Sequence, residues 1–224
     1  MARREDSEIN ILIISLFLII SPAAALYSLE YSRNGFSREV DVKALFYPKK
    51  ADQIITYIFF AAAAVALFLF GTRDALVLTC DCLMIMFGYA AALSDLSTRK
   101  APNMLVLIIF GCWVLLALIK IFINFESGME SLIASAIGAL IGGGLMLIVY
   151  LLSRKGLGAG DVKFMGTAGL YLTSRWIVAV MLIGGILCLL FAIASMLLRK
   201  LKMSDALPLI PFLYIGIILT IFFR

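Results

Sequence analysis

Gly156-Leu157-Gly158-Ala159-Gly160-Asp161-Val162-Lys163 separates two strongly apolar stretches, residues 132–152 and 162–173. A carboxylate at the edge of hydrocarbon is costly and is a functional candidate by default. Glycines without Cβ permit unusual dihedrals and let another backbone approach closely, which suits a site where a peptide lies against an acid. A plainer reading makes this a loop between membrane helices, with Asp161 as a helix N-cap. The apolar stretch that follows has 12 residues, about 18 Å of helix at ~1.5 Å per residue, against the ~30 Å of a bilayer core. Either it is re-entrant, or it starts below the surface. The second option places Asp161 in a wet cavity, the setting in which non-helical backbone is tolerated at that depth.

Working outward, the remaining apolar stretches are residues 9–26, 54–70, 75–93, 104–124, 176–198 and 207–223. Of the 224 residues 63% are hydrophobic and 15% charged, where soluble domains carry about 45–50% and about 25%. The fold class is therefore an all-α polytopic membrane protein. The first stretch follows Arg3 and Arg4 and precedes Ala23-Ala24-Ala25; it is either a signal peptide or a retained first helix. Residues 125–130 read as a short acidic turn. Gly138-x-x-x-Gly142 is a close-packing pattern. The net charge of +5 suits loops against an anionic membrane surface rather than nucleic acid. No histidine is present, which excludes a Ser-His-Asp triad, a Cys-His dyad and His-ligated zinc. Cys80, Cys82, Cys112 and Cys188 all lie in apolar stretches and read as core residues. No metal or cofactor is expected.

If every apolar stretch crosses once, the loops carrying Asp95, Asp161 and Arg199, with residues 27–53, share one side. That side holds 13 of the 19 Lys and Arg residues, so it faces the cytoplasm by the positive-inside bias. Asp95, in the polar connection of residues 94–103, and Asp161 then face the cytoplasm from turns at span ends. Two close carboxylates cannot both ionise cheaply and share a proton. One is then a base that activates water, and the other an acid that protonates the carbonyl or the leaving amine.

Ser94-Asp95, followed by Arg99-Lys100-Ala101-Pro102-Asn103, resembles the first aspartate motif of the type IV prepilin peptidases. Gly158-Ala159-Gly160-Asp161-Val162-Lys163 resembles their second, G-x-G-D-x-K. The order and the 66-residue separation also fit. The resemblance runs from Ala75 to the C-terminus and includes the archaeal preflagellin peptidases; presenilin-like proteases share only the G-x-G-D. It implies a six-segment helical protease core with up to two extra N-terminal membrane helices, divided as residues 1–74 and 75–224. It implies removal of the basic leader from prepilin-like or preflagellin-like precursors at the cytoplasmic face of the cell membrane. By match Asp95 and Asp161 are the catalytic acids, and Gly158 and Gly160 shape the turn that admits substrate. Pro102 opens the next helix, as Pro suits a first turn. Larger bacterial members carry cysteine knuckles linked to N-methylation; residues 27–53 have no cysteine, which argues against zinc and leaves methyl transfer unsupported.

Lys163 reads as a counter-charge for Asp161 or a lipid-phosphate contact. Asn103 reads as a partner of Asp95 or a helix cap. Asp81 reads as reaching the outer interface or a neighbouring helix, about 21 Å from Asp95 at ~1.5 Å per residue. Expected partners are the precursors and membrane lipids. Three rival readings remain: a presenilin-like protease cutting inside a substrate's apolar helix, a small transporter with the acids as ion or proton sites, and a non-enzymatic membrane subunit using Gly138 and Gly142 for helix contact.

Overall fold

The computed structural model describes residues 2–33, 50–70, 74–98, 103–152, 158–198 and 207–223. Every regular element among them is a helix: α1 (Ala2–Arg33), α2 (Lys50–Phe70), α3 (Ala75–Thr98), α4 (Asn103–Ile123), α5 (Phe125–Leu152), α6 (Ala159–Leu197) and α7 (Ile210–Phe223). The first six are long and apolar enough to cross a bilayer. Large apolar side chains such as Phe122, Leu140 and Leu182 point outward. In water they would form patches far beyond what a monomer tolerates, and against lipid they need no cover. The chain is an all-α polytopic membrane protein.

Helix starts follow local chemistry. Asp74 Oδ1 accepts the Leu76 and Val77 amides at 2.9 and 3.3 Å and caps α3. Asn124 is the whole connection between α4 and α5, and its Oδ1 accepts the Ser127 amide at 3.2 Å. Residues 125–130 are therefore the first turns of α5, not the acidic turn expected from sequence. An Asn cap and Glu126 in the first turn both favour helix there.

α6 is continuous in its hydrogen-bond pattern but broken at Thr173, whose φ is 63° and ψ 174°. A Cβ on Gly142 would stand 2.7 Å from the Met165 carbonyl oxygen and 2.9 Å from Ile177 Cγ1. On a straight helix those two residues would be about 18 Å apart at ~1.5 Å per residue. Their meeting at one glycine means that the chain folds back at Thr173, leaving two legs, residues 159–172 and 174–197. Gly138 lies between them, with Gly169 on one side and Ser174 on the other. Thr173 holds a conformation that suits glycine, at a cost of about 1–3 kcal/mol, and the packing of α5 against both legs keeps it there.

With the two legs counted separately, α3, α4, α5, α6 and α7 supply six segments, and α1 and α2 are the two added at the N-terminus. α1 packs along α3 and α2, burying Phe17, Ser21, Ala25 and Leu26. Phe59 and Phe60 of α2 stack on or abut Tyr89 of α3 at 4.6 and 5.2 Å, and Phe17 meets Phe60 at 5.6 Å. Asp81, read as reaching the outer interface or a neighbouring helix, is buried at 3% exposure, which sets aside the interface.

The turn at Thr173 lies inside the span. It meets α5 at Gly138, 13 residues from Phe125, about 20 Å of helix at ~1.5 Å each. A cavity of about 270 Å³ sits over it, lined in part by Cys80, Trp113, Lys120, Ser135 and Trp176. Irregular backbone at membrane depth is tolerated beside such a cavity. The shortfall in length of residues 162–173 is therefore met at the Thr173 end, in line with the re-entrant one of the two options that the sequence left open. Lys120 Nζ donates to Ser131 Oγ at 3.0 Å and ties α4 to α5 at this end.

Candidate active site

The opposite end of the bundle gathers the C-terminal turn of α3 and the N-terminal turns of α4, α6 and α7. Two side-chain links fix this. The Ile210 amide of α7 donates to Asp95 Oδ2 of α3 at 3.2 Å. Lys163 Nζ of α6 donates to Asn103 Oδ1 of α4 at 3.0 Å. Asp95 and Asp161 are both at this end, and both are buried, at 6% and 9% exposure.

Neither acid lies in a loop, as the polar connections had suggested. α3 continues to Thr98, so Asp95 is in its last turn. Ser97 Oγ donates back to the Ser94 carbonyl at 3.0 Å within that turn. Asp161 is in the first turn of α6, at the third helical position rather than the N-cap. Gly158 holds the N-cap, with φ −87° and ψ 145°. That is ordinary extended backbone, so no left-handed conformation calls for glycine there. A Cβ on Gly158 would meet Asp161 Oδ2 at 3.4 Å, an ordinary contact. The Gly158 amide donates to Asp161 Oδ2 at 3.0 Å, the side-chain-to-backbone half of a capping box. Among the described residues Asp161 Oδ1 accepts no hydrogen bond, so one oxygen anchors the side chain and the other is available. Phe164 and Met165, just beyond, are buried.

Lys163 does not face Asp161. Residues two apart on a helix point to different sides, and the ammonium reaches Asn103 instead. Asn103 accordingly serves the α4–α6 contact, where an Asp95 partner or a helix cap had been expected. Gly160 lies in the first turn of α6. Pro102, with Arg99 and Lys100, lies outside the described residues. Among the described residues no three His, Cys, Asp or Glu side chains come together as a metal site. The partner of Asp95 escaped sequence reasoning because it is a main-chain amide. The only signal near it was Pro208 and Pro211, which mark a helix start.

The model of the type IV leader peptidase family matches residues 82–193, half of the chain. The chain belongs to the type IV leader peptidase family. No curated protein and no solved structure matches it. Membership carries a leader-peptidase type of proteolysis, on prepilin-like substrates in general. The match spans the leader peptidase from Cys82 in α3 to Ile193 in α6. It takes in both acids, Asn103 and Lys163, and leaves out α1, α2 and α7.

Proposed function

We propose that this leader peptidase is an aspartic endopeptidase in which Asp95 and Asp161 activate water to cut the basic leader from prepilin-like or preflagellin-like precursors. The observation that carries this reading is the pair of buried carboxylates at one end of the bundle, each held through one oxygen by a main-chain amide. An acid that is buried and anchored by a main-chain amide is held in one orientation, which is what positioned catalysis needs. Residues 75–224 form the protease core in this reading, and the basic-residue count puts the acids at the cytoplasmic face of the cell membrane.

Each step follows from carboxylate chemistry. The ionised acid takes a proton from water as the water oxygen attacks the scissile carbonyl carbon. The protonated acid gives its proton to the carbonyl oxygen, leaving a neutral gem-diol. The diol then collapses: the C–N bond breaks, one carboxylate takes a hydroxyl proton and the other acid protonates the leaving nitrogen. No covalent intermediate forms. The precursor's apolar helix lies in the bilayer beside the enzyme, and its basic leader lies in water, so the border between them falls at the depth of the acids. The link between Lys163 and Asn103 holds the α4 and α6 starts together across this site.

The reading is tested by Asp95→Asn and Asp161→Asn. Each keeps the shape of the side chain and removes the proton exchange. Leader cleavage should fall at least ~10³-fold for either, as for groups that act as a unit, while membrane insertion is unchanged. Cleavage within a few-fold of the wild type (about 1 kcal/mol in barrier) by either variant would remove that residue from the mechanism.

A further inference from the structure

Helix α7 lies outside the matched family region and has no acid or base on its 14 residues, yet its first amide contacts Asp95. The first four N–H groups of any helix lack partners within it. In α7 each is accounted for. Ile210 donates to Asp95 Oδ2 at 3.2 Å, and Pro211 has no N–H to satisfy. Phe212 and Leu213 both donate to the Leu209 carbonyl, at 3.1 and 3.2 Å. The carboxylate of one helix thus caps the start of another.

The start of α7 is also held in place from all sides. Ile210 and Leu213 are fully buried. The Tyr214 hydroxyl donates to the Ile85 carbonyl of α3 at 2.9 Å, and Gly88 faces the Tyr214 ring so closely that a Cβ would overlap it. Gly184 of the second α6 leg packs on Leu213, and Gly216 packs on Val180. Pro208 and Pro211 stiffen the entry to the helix. A donor this firmly placed restricts where Asp95 Oδ2 can be, and so contributes to the orientation of the carboxylate.

We propose that the main-chain amide of Ile210 is a positioning group for catalysis, holding Asp95 in its reactive orientation, so that α7 belongs to the catalytic apparatus. This rests on the reading of Asp95 as a catalytic acid. Ile210 itself touches neither water nor substrate in this account; it acts through Asp95.

Two variants of the full chain, purified in detergent, remove the N–H in different ways. Replacing the amide between Leu209 and Ile210 by an ester keeps the isoleucine side chain. Ile210→Pro keeps the amide carbonyl and places proline at the first helical position, where it fits. Ile210→Ala is the control that trims the side chain and keeps the N–H. With a prepilin-like precursor as substrate, both N–H-less forms should lose about 10- to 100-fold in kcat, the range for a hydrogen bond to a charged group. Their KM should stay within about twofold, since the lost contact is not with substrate. Ile210→Ala should stay within about threefold of the wild type in kcat, its loss being one of stability. A normal kcat in either N–H-less form, or an equal loss in Ile210→Ala, would overturn the proposal. Asp95→Asn, run alongside, separates the two claims. If it is inactive while the ester is normal, only the positioning role fails; if it cleaves normally, the assignment of Asp95 fails with it.

Discussion

At the scale of single residues, two buried carboxylates are each held by a main-chain amide. Asp161 takes the Gly158 amide and Asp95 the Ile210 amide. Lys163, the nearest cation in sequence to Asp161, is committed to Asn103. In the proposed mechanism the active form of the pair holds one proton, with one acid ionised and the other protonated. Its titration belongs to the pair and not to either residue. In acid the ionised partner is protonated and no base remains. In alkali the shared proton is lost and no acid remains. The rate at low substrate concentration, in a fixed detergent, should fall on both sides of an optimum. A rate that climbs steadily into alkali while the enzyme stays folded would point to another group.

At the scale of elements, the close approach of α5 to both legs of α6 sets the depth of the Thr173 turn and the direction of the leg that carries Asp161. Glycine is required where the backbones touch. Gly142→Ala would push a methyl against the Met165 carbonyl oxygen at 2.7 Å and Ile177 Cγ1 at 2.9 Å. It should cost about 1–3 kcal/mol, as overpacking does, seen as a lower unfolding temperature in detergent. Gly144 has open space where its Cβ would stand, so Gly144→Ala should be neutral or gain up to about 1 kcal/mol from helix propensity. Equal effects of the two would remove close packing as the reason for the glycine. Part of this level was legible in the sequence. Gly138-x-x-x-Gly142 was a readable contact pattern, and the apolar runs located the spans. The fold-back at Thr173 was only half legible: Ser174-Arg175 marked a polar break, but not the φ of the residue before it. The first turns of α5 were misread because a helix that starts outside the hydrocarbon is polar there. The burial of Asp81 was not legible, because helical rise gives depth along α3 and says nothing about which side faces a neighbouring helix.

At the scale of the whole molecule, the two acids share one end of the bundle, and the cavity over Thr173 lies at the other. The distribution of basic residues is the ground for proposing that the acid end faces the cytoplasm. Ser97→Cys and Ser153→Cys should react with a membrane-impermeant thiol reagent from the cytoplasmic side only, and Ser127→Cys from the outer side only. Labelling of positions 97 and 127 from the same side would overturn this orientation. The acids themselves were the most legible part of the site, since carboxylates beside hydrocarbon are conspicuous. Their anchors were not: the amides of Gly158 and Ile210 carry no residue-type signal, and the latter lies 115 residues from Asp95 in the chain.

The most direct test of the central claim is the intact mass of a prepilin-like precursor after incubation with the purified chain in detergent or lipid. The account predicts one cut, at the border between the basic leader and the apolar helix, present with the wild type and absent with Asp95→Asn or Asp161→Asn. A precursor left whole by the wild type, or cut inside its apolar helix, or cut equally by either variant, would contradict it.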